Sequence, residues 1–251
     1  MSALLLGKRV VVTGASRGLG RAIALAAARE GADVGVGYHE RKNDAEFVTN
    51  DITNESGRRA IAFPFDVSSE RDVESAVDHF ERELGPIDGW VNNAGYNRGG
   101  LLVTGDANEW RQELEVNVLG PLLCARAIIK RMMQRRCGVI VNVSSVAAVR
   151  PTRGQVAYAA CKGGVESMTR ALAVEYAKKG IAVLCLRPGP IDTDMLAATR
   201  VLADDEVIKK TLVGRIASAD EIAEHAVFML SSRAAYATGS IVTVDGGYVL
   251  S

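Results

Sequence analysis

Residues 156–165, VAYAACKGGV, set a tyrosine and a lysine four positions apart. Side chains at that spacing share one face of a helix, so Tyr158 and Lys162 would present a phenol and an ammonium to the same place. Their ordinary pKa values, near ~10 and ~10.4, make both poor acid–base reagents at neutral pH. The pairing therefore needs a reason. A second stretch, VVVTGASRGLGRAIA, carries Gly14, Gly18 and Gly20 between an apolar run and a helical pattern. That order suits a pyrophosphate: glycines allow a tight turn and close backbone approach, and a helix N-terminus favours the anion. A glycine turn that binds nothing is the plain alternative.

Seven Val/Ile-rich runs could position these groups: RVVVTG, ADVGVGY, AIAFPFDV, IDGWVNNAG, GVIVNVSS, IAVLCLRPG and SIVTVDGG. They alternate with longer Ala- and charge-rich segments of helical period, as βαβ units do. Near-continuous apolar strands need a parallel sheet covered on both faces, with right-handed crossovers. The expected fold is α/β, a three-layer, doubly wound, seven-stranded parallel sheet forming a single domain over residues 1–251. Ligands then bind beyond the carboxyl ends of the strands, where Gly, Asn, Ser and Pro cluster. The irregular stretch 189–217 is expected to form a lid within that domain.

Bulk properties narrow the function classes. Of 251 residues, 48% are hydrophobic and 24% charged, which suits a soluble globular chain with ample core. Thirty basic and thirty acidic side chains cancel, so no footprint for nucleic acid or an anionic membrane is expected. The start MSALLLGKRV breaks its apolar triplet too early for a leader or a membrane span. Cys124, Cys137, Cys161 and Cys185 lack metal or redox spacing and read as reduced thiols of a cytoplasmic protein. His39, His79 and His225 are widely separated, and no metal site is expected.

The spacing G-x-x-x-G-x-G after Thr13 resembles that of the short-chain dehydrogenase/reductase family. So do Asp66–Val67 after the third run, NNAG at 92–95, Asn117 in EVNVLG, Ser145 in VNVSSVA, Tyr158-x-x-x-Lys162 and RPGPIDT at 187–193. These motifs fall in family order along nearly the whole chain. The resemblance implies a Rossmann-type fold and a catalytic set of Asn117, Ser145, Tyr158 and Lys162. On that basis the lysine's ammonium stabilises phenolate and lowers the tyrosine pKa towards working pH. Tyr158 then protonates an alkoxide as hydride reaches a carbonyl carbon, and Ser145, rather than its neighbour Ser144, hydrogen-bonds the same oxygen. Lys162 also holds the nicotinamide ribose, and Asn117 supports a water chain that resupplies protons.

Cofactor contacts carry over by position. Gly14, Ser16, Arg17, Gly18, Leu19 and Gly20 form the pyrophosphate turn, and Tyr38 and His39 lie at the adenosine ribose. Asp66 and Val67 meet the adenine. Asn92, Asn93, Ala94 and Gly95 line the middle, while Pro188, Gly189, Ile191 and Thr193 lie against the nicotinamide end. Tyr38 stands where NAD-preferring relatives carry aspartate. Arg17, His39, Arg41 and Lys42 offer positive charge nearby, so NADP(H) is the expected cofactor and NAD(H) the alternative.

Within the family the sequence is most similar to 3-oxoacyl-[acyl-carrier-protein] reductases, through NNAGYNRGGLL with Arg98, PGPIDTDM, and VGRIASADEIAEHAVFMLSS with YATGSIVTVDGG. The resemblance implies reduction of the C3 carbonyl of a 3-oxoacyl thioester. A polyketide, sugar, steroid or other small ketone or alcohol, or cofactor binding without turnover, are the alternatives. An acidic carrier protein would dock on basic residues such as Lys130 and Arg131, but Val174 stands where those reductases have a second basic residue, and a solvated helix end or a subunit contact is the alternative reading of Lys130 and Arg131. The apolar helices 117–136 and 155–179, with the C-terminal DGGYVLS, imply a homotetramer with D2 symmetry.

Overall fold

The computed structural model describes residues 3–192 and 208–251. The seven apolar runs form β1 (Arg9–Val12), β2 (Asp33–Tyr38), β3 (Ala60–Pro64), β4 (Gly89–Asn92), β5 (Gly138–Val143), β6 (Ile181–Pro188) and β7 (Ile241–Val244). They pair in parallel in the order β3-β2-β1-β4-β5-β6-β7. Every carboxyl end therefore lies on one edge, and the order reverses between β1 and β4, the switch point where such sheets bind ligands. The expected doubly wound sheet is present.

The crossovers are α1 (Gly18–Arg29), α2 (Lys42–Ser56), α3 (Glu70–Leu84), α4 (Ala107–Leu114), α5 (Gly120–Arg135), α6 (Val156–Tyr176) and α7 (Ala219–Leu230). The starts of α3, α4 and α7 are set by side chains that satisfy otherwise unpaired N–H groups. Ser69 accepts from the Asp72 amide at 3.3 Å to start α3, and Ser218 and Glu221 form a reciprocal capping box at α7.

Alternate strand residues feed two cores, as a sheet covered on both faces requires. Val10, Val12, Val91, Val141 and Leu184 pack against Ala-rich α1 and against α2 and α7. Val11, Trp90, Ile140 and Val183 pack against α3 and α5, around Phe80, Ile128 and Met132. Both cores hold the strand ends in fixed register beneath the site. Of the expected lid, residues 193–207 lie outside the described residues; Ile191 makes a parallel bridge with Ala217. No described helix is long and apolar enough to cross a membrane, and no described cluster of His, Cys, Asp and Glu could hold a metal.

Candidate active site

The glycine turn leads straight from β1 into α1. Gly14 has φ +62°, and a Cβ there would stand 2.9 Å from Ala94 Cα. At Gly20 a Cβ would meet the Gly14 carbonyl at 2.4 Å and Asn93 Nδ2 at 2.5 Å, so only glycine lets turn and helix close this tightly. The Thr13 hydroxyl accepts from the Asn93 and Ala94 amides at 3.0 and 2.9 Å, and Asn93 Nδ2 donates to the Thr13 and Gly14 carbonyls. Asn93 is thus a brace between β1 and β4 as well as a wall. The start of α1 has no side-chain cap and no acidic residue in its first turn, which leaves its amides suited to an anion.

The other expected cofactor residues follow the same edge. Ser16, Arg17 and Leu19 lie in the turn and first residues of α1; Tyr38, buried, ends β2, and His39, exposed, follows it. Asp66 accepts from the Ser68 amide and hydroxyl at 2.8 and 2.7 Å, shaping the turn into α3, while Val67 packs over Gly120. Pro188 pairs with Val244 and Gly189 donates to the Val244 carbonyl at 2.9 Å. Thr193 lies outside the described residues. Gly95 is exposed; a Cβ there would stand 3.1 Å from Asn117 Oδ1 and 3.7 Å from Lys162 Nζ. Bare backbone keeps the approach to that ammonium open, and these residues fit a dinucleotide.

Ser145, Tyr158, Lys162 and Asn117 converge from three segments. Ser145 follows β5 and lies beside the Tyr158 phenol, whose pKa its hydroxyl draws down; its Oγ accepts from the Ala147 amide at 3.2 Å. Tyr158 and Lys162 share the inner face of α6, the ammonium 5.5 Å from the phenol ring centre. Asn117 is fully buried in a π-helical turn, Glu115–Leu119, between α4 and α5. Its Nδ2 donates to the Tyr96 and Glu113 carbonyls at 2.6 and 2.9 Å, and its Oδ1 accepts from the Tyr96 amide at 3.3 Å. Such π turns disrupt the regular ladder and recur at functional sites. Ser144 is excluded from the substrate side because its hydroxyl bonds Glu166 at 2.9 Å and the Lys162 carbonyl at 3.2 Å.

The electrostatics correct one expectation. Burial pushes the Tyr158 phenol up to about 12, with the Ser145 bond pulling it back and the Glu113 carboxylate raising it further. Burial likewise drives the Lys162 pKa down to about 8, and its ammonium donates to the Val143 carbonyl at 3.0 Å. Desolvation of both groups outweighs their mutual attraction. In the protein's own field Tyr158 is an acid that keeps its proton until one is demanded of it. Glu113 was not foreseen: it is 3% exposed on α4 and accepts from the Arg98 amide at 2.9 Å. A lone glutamate in a helical pattern gives no sign of burial.

The basic face of α5 lies against an acidic one. Arg126, Lys130, Arg131 and Arg135 of α5 pair with Glu70, Glu74, Asp78 and Glu81 of α3. Lys130 Nζ lies 2.9 Å from Glu74 and Arg131 Nη2 2.5 Å from Asp78. Lys130 and Arg131 therefore each have an acidic neighbour on α3 while staying solvent-exposed. Near the ribose position, Arg41 pairs with Asp44 at 3.2 Å and Lys42 with Glu46 at 3.6 Å.

Residues 14–249 match the family model described as Enoyl-(Acyl carrier protein) reductase. The chain is 37% identical over 248 residues to the 3-oxoacyl-[acyl-carrier-protein] reductase of Chlamydia muridarum, covering 98% of this chain and 99% of that one. The chain belongs to the short-chain dehydrogenase/reductase family. The Escherichia coli 3-oxoacyl-[acyl-carrier-protein] reductase is 36% identical over 244 residues, 96% of this chain and 97% of its own. Among solved structures, a gluconate 5-dehydrogenase from Burkholderia cenocepacia in complex with NADP and tartrate superposes with a TM-score of 0.94. It is 31% identical and covers 100% of this chain and 98% of that one. As a member of this family the protein is an oxidoreductase acting on CH–OH or ketone groups.

Proposed function

We propose that this short-chain dehydrogenase/reductase is an NADP(H)-dependent ketoreductase acting on the C3 carbonyl of 3-oxoacyl thioesters. The observation that carries the chemistry is the convergence of Ser145, Tyr158 and Lys162 beyond β5, beside the glycine-lined edge of the sheet. The substrate rests on near full-length similarity to two 3-oxoacyl-[acyl-carrier-protein] reductases. NADP(H) rests on the cationic residues after β2 and on the gluconate 5-dehydrogenase structure holding NADP.

The bound nicotinamide supplies the hydride. The Ser145 hydroxyl hydrogen-bonds the ketone oxygen and gains strength as negative charge develops there. Tyr158, kept protonated by burial, hands its proton to that oxygen. The phenolate left behind is stabilised by the Ser145 bond and the Lys162 ammonium. Lys162 holds the ribose hydroxyls, and Asn117 fixes the segment after β4 against the π turn. Asp66, Val67, Asn93, Ala94, Gly95, Pro188, Gly189, Ile191 and Thr193 are the proposed cofactor contacts beyond the glycine turn; the Asn92 side chain is instead buried and bonded to Trp90 and Asn142.

A second reading keeps this chemistry and replaces the acyl thioester by a small polar ketone or hydroxy acid. The superposition on a gluconate 5-dehydrogenase with a TM-score of 0.94 favours it. NADPH oxidation with acetoacetyl thioester on coenzyme A and on carrier protein, run beside 5-ketogluconate, separates the readings. Turnover of 5-ketogluconate alone would replace the first by the second. Tyr158→Phe should keep NADPH binding and lose turnover; an unchanged rate would remove the proton-donor role.

The assembly is proposed to be a homotetramer. Apolar side chains on the two long helices stand exposed, with Val174 at 85% and Val156 at 55% on α6 and Leu122 at 42% on α5, more than one chain alone should leave in water. Elution as a monomer at micromolar concentration would overturn it.

A further inference from the structure

The inner face of α6 carries a set of polar groups that the proposed reaction leaves unused. Glu166, one turn beyond Lys162, is 5% exposed and grips Arg187 at the end of β6. Arg187 Nε donates to Oε1 at 2.7 Å and Nη2 to Oε2 at 2.6 Å. Ser144 Oγ donates to the same Oε1 at 2.9 Å, and Arg187 Nη1 donates to Thr243 Oγ1 on β7 at 3.1 Å. Further along α6, Thr169 Oγ1 accepts from Asn142 Nδ2 at 2.9 Å; Asn142 Oδ1 accepts from Asn92 Nδ2 at 2.8 Å, and Trp90 Nε1 donates to Asn92 Oδ1 at 2.8 Å. With the Lys162 bond to the Val143 carbonyl, α6 is tied to three successive residues of one segment, Asn142, Val143 and Ser144.

Apolar contact alone would not hold this helix to a fraction of an ångström. Val165 and Met168 pack against Cys185, but that attraction is non-directional, whereas a bidentate guanidinium–carboxylate pair fixes distance and orientation together. Its place in the sequence gives it a role. Arg187 immediately precedes Pro188 and Gly189, Ser144 immediately precedes Ser145, and Glu166 stands on the helix of Tyr158 and Lys162. One carboxylate thus joins the three segments whose spacing the reaction depends on. Stability is a poor reason to retain such a pair, since apolar replacement of a buried ion pair is often neutral or stabilising.

We propose that Glu166 is a positioning residue: through Arg187 and Ser144 it sets the spacing between the helix of Tyr158 and Lys162 and the cofactor-facing end of β6. The inference rests on the ketoreductase reading for its catalytic consequence. Two full-length variants test it, Glu166→Gln, which keeps the shape, and Glu166→Leu/Arg187→Met, which removes both charges. The readouts are thermal unfolding, NADPH affinity from nucleotide fluorescence, and kcat and KM for acetoacetyl-coenzyme A.

The double variant should unfold at or above the wild-type temperature, yet lose roughly 100-fold in kcat, the scale of an ångström-sized misplacement. Its KM for the ketone should barely move, and NADPH should bind roughly 10-fold more weakly, as when outer partners of a site are removed. Wild-type kcat and NADPH affinity in the double variant would overturn the proposal. Should that variant not fold, Glu166→Gln decides by the same measures: lost kcat in a folded protein supports positioning, and retained kcat refutes it. Should the wild type reduce no ketone, the reductase reading fails on its own, and the NADPH affinities of variant and wild type still decide whether Glu166 positions the site.

Discussion

Replacing Lys162 by methionine should make the protein more stable and inactive at once. The ammonium is 4% exposed and donates to the Val143 carbonyl at 3.0 Å, with no carboxylate paired to it among the described residues. Burial lowers its pKa from 10.5 to about 8. At ~1.36 kcal/mol per unit, keeping this charge folded costs about 3 kcal/mol below the lower value. Methionine escapes that cost but loses the Val143 bond, worth ~1 kcal/mol. The net gain of about 2 kcal/mol corresponds to a Tm rise of roughly 4–8 °C in a chain of this size.

The pH dependence gives the test its sign. The folded pKa lies below the unfolded one, so between about 8 and 10.5 the unfolded chain binds more protons and wild-type stability from this group rises with pH. The variant has no such term. Its Tm advantage should therefore be full at neutral pH and shrink as pH climbs through that window. Calorimetric unfolding of both proteins across the range, beside NADPH oxidation with acetoacetyl thioester, measures both halves. A variant less stable than wild type at neutral pH, or an advantage independent of pH, would refute the reasoning.

Three further outcomes are expected. Ser145→Ala should lower kcat by roughly 10²–10³ with little change in Tm, because it removes one donor to the developing oxyanion; steady-state kinetics and a melt check it. Glu113→Gln should lower the Tyr158 pKa, since the carboxylate raises it; in alcohol oxidation, which needs phenolate, the rising limb of the pH–rate profile should move to lower pH. Gly20→Ala forces a Cβ into 2.4 Å from the Gly14 carbonyl, so cofactor binding should fail and stability drop by about 1–3 kcal/mol, read by nucleotide fluorescence and thermal unfolding.

Much of this was legible in the chain because it is local. The alternation of β-branched runs with helical period determined seven strands and a doubly wound sheet, since periodicity follows from burial on two faces. The i to i+4 spacing put Tyr158 and Lys162 on one face, and Gly14, Gly18 and Gly20 marked a turn that only glycine can close. Tertiary structure decided what depends on neighbours distant in sequence. Burial, which no spacing encodes, raised the phenol and lowered the ammonium, outweighing the expected effect of one on the other. Ser144 was withdrawn from the site by Glu166, and Lys130 and Arg131 were each given an acidic neighbour on α3. Pairing and desolvation arise only when the sheet brings these segments together, so sequence named the groups and the fold fixed their charge states and partners.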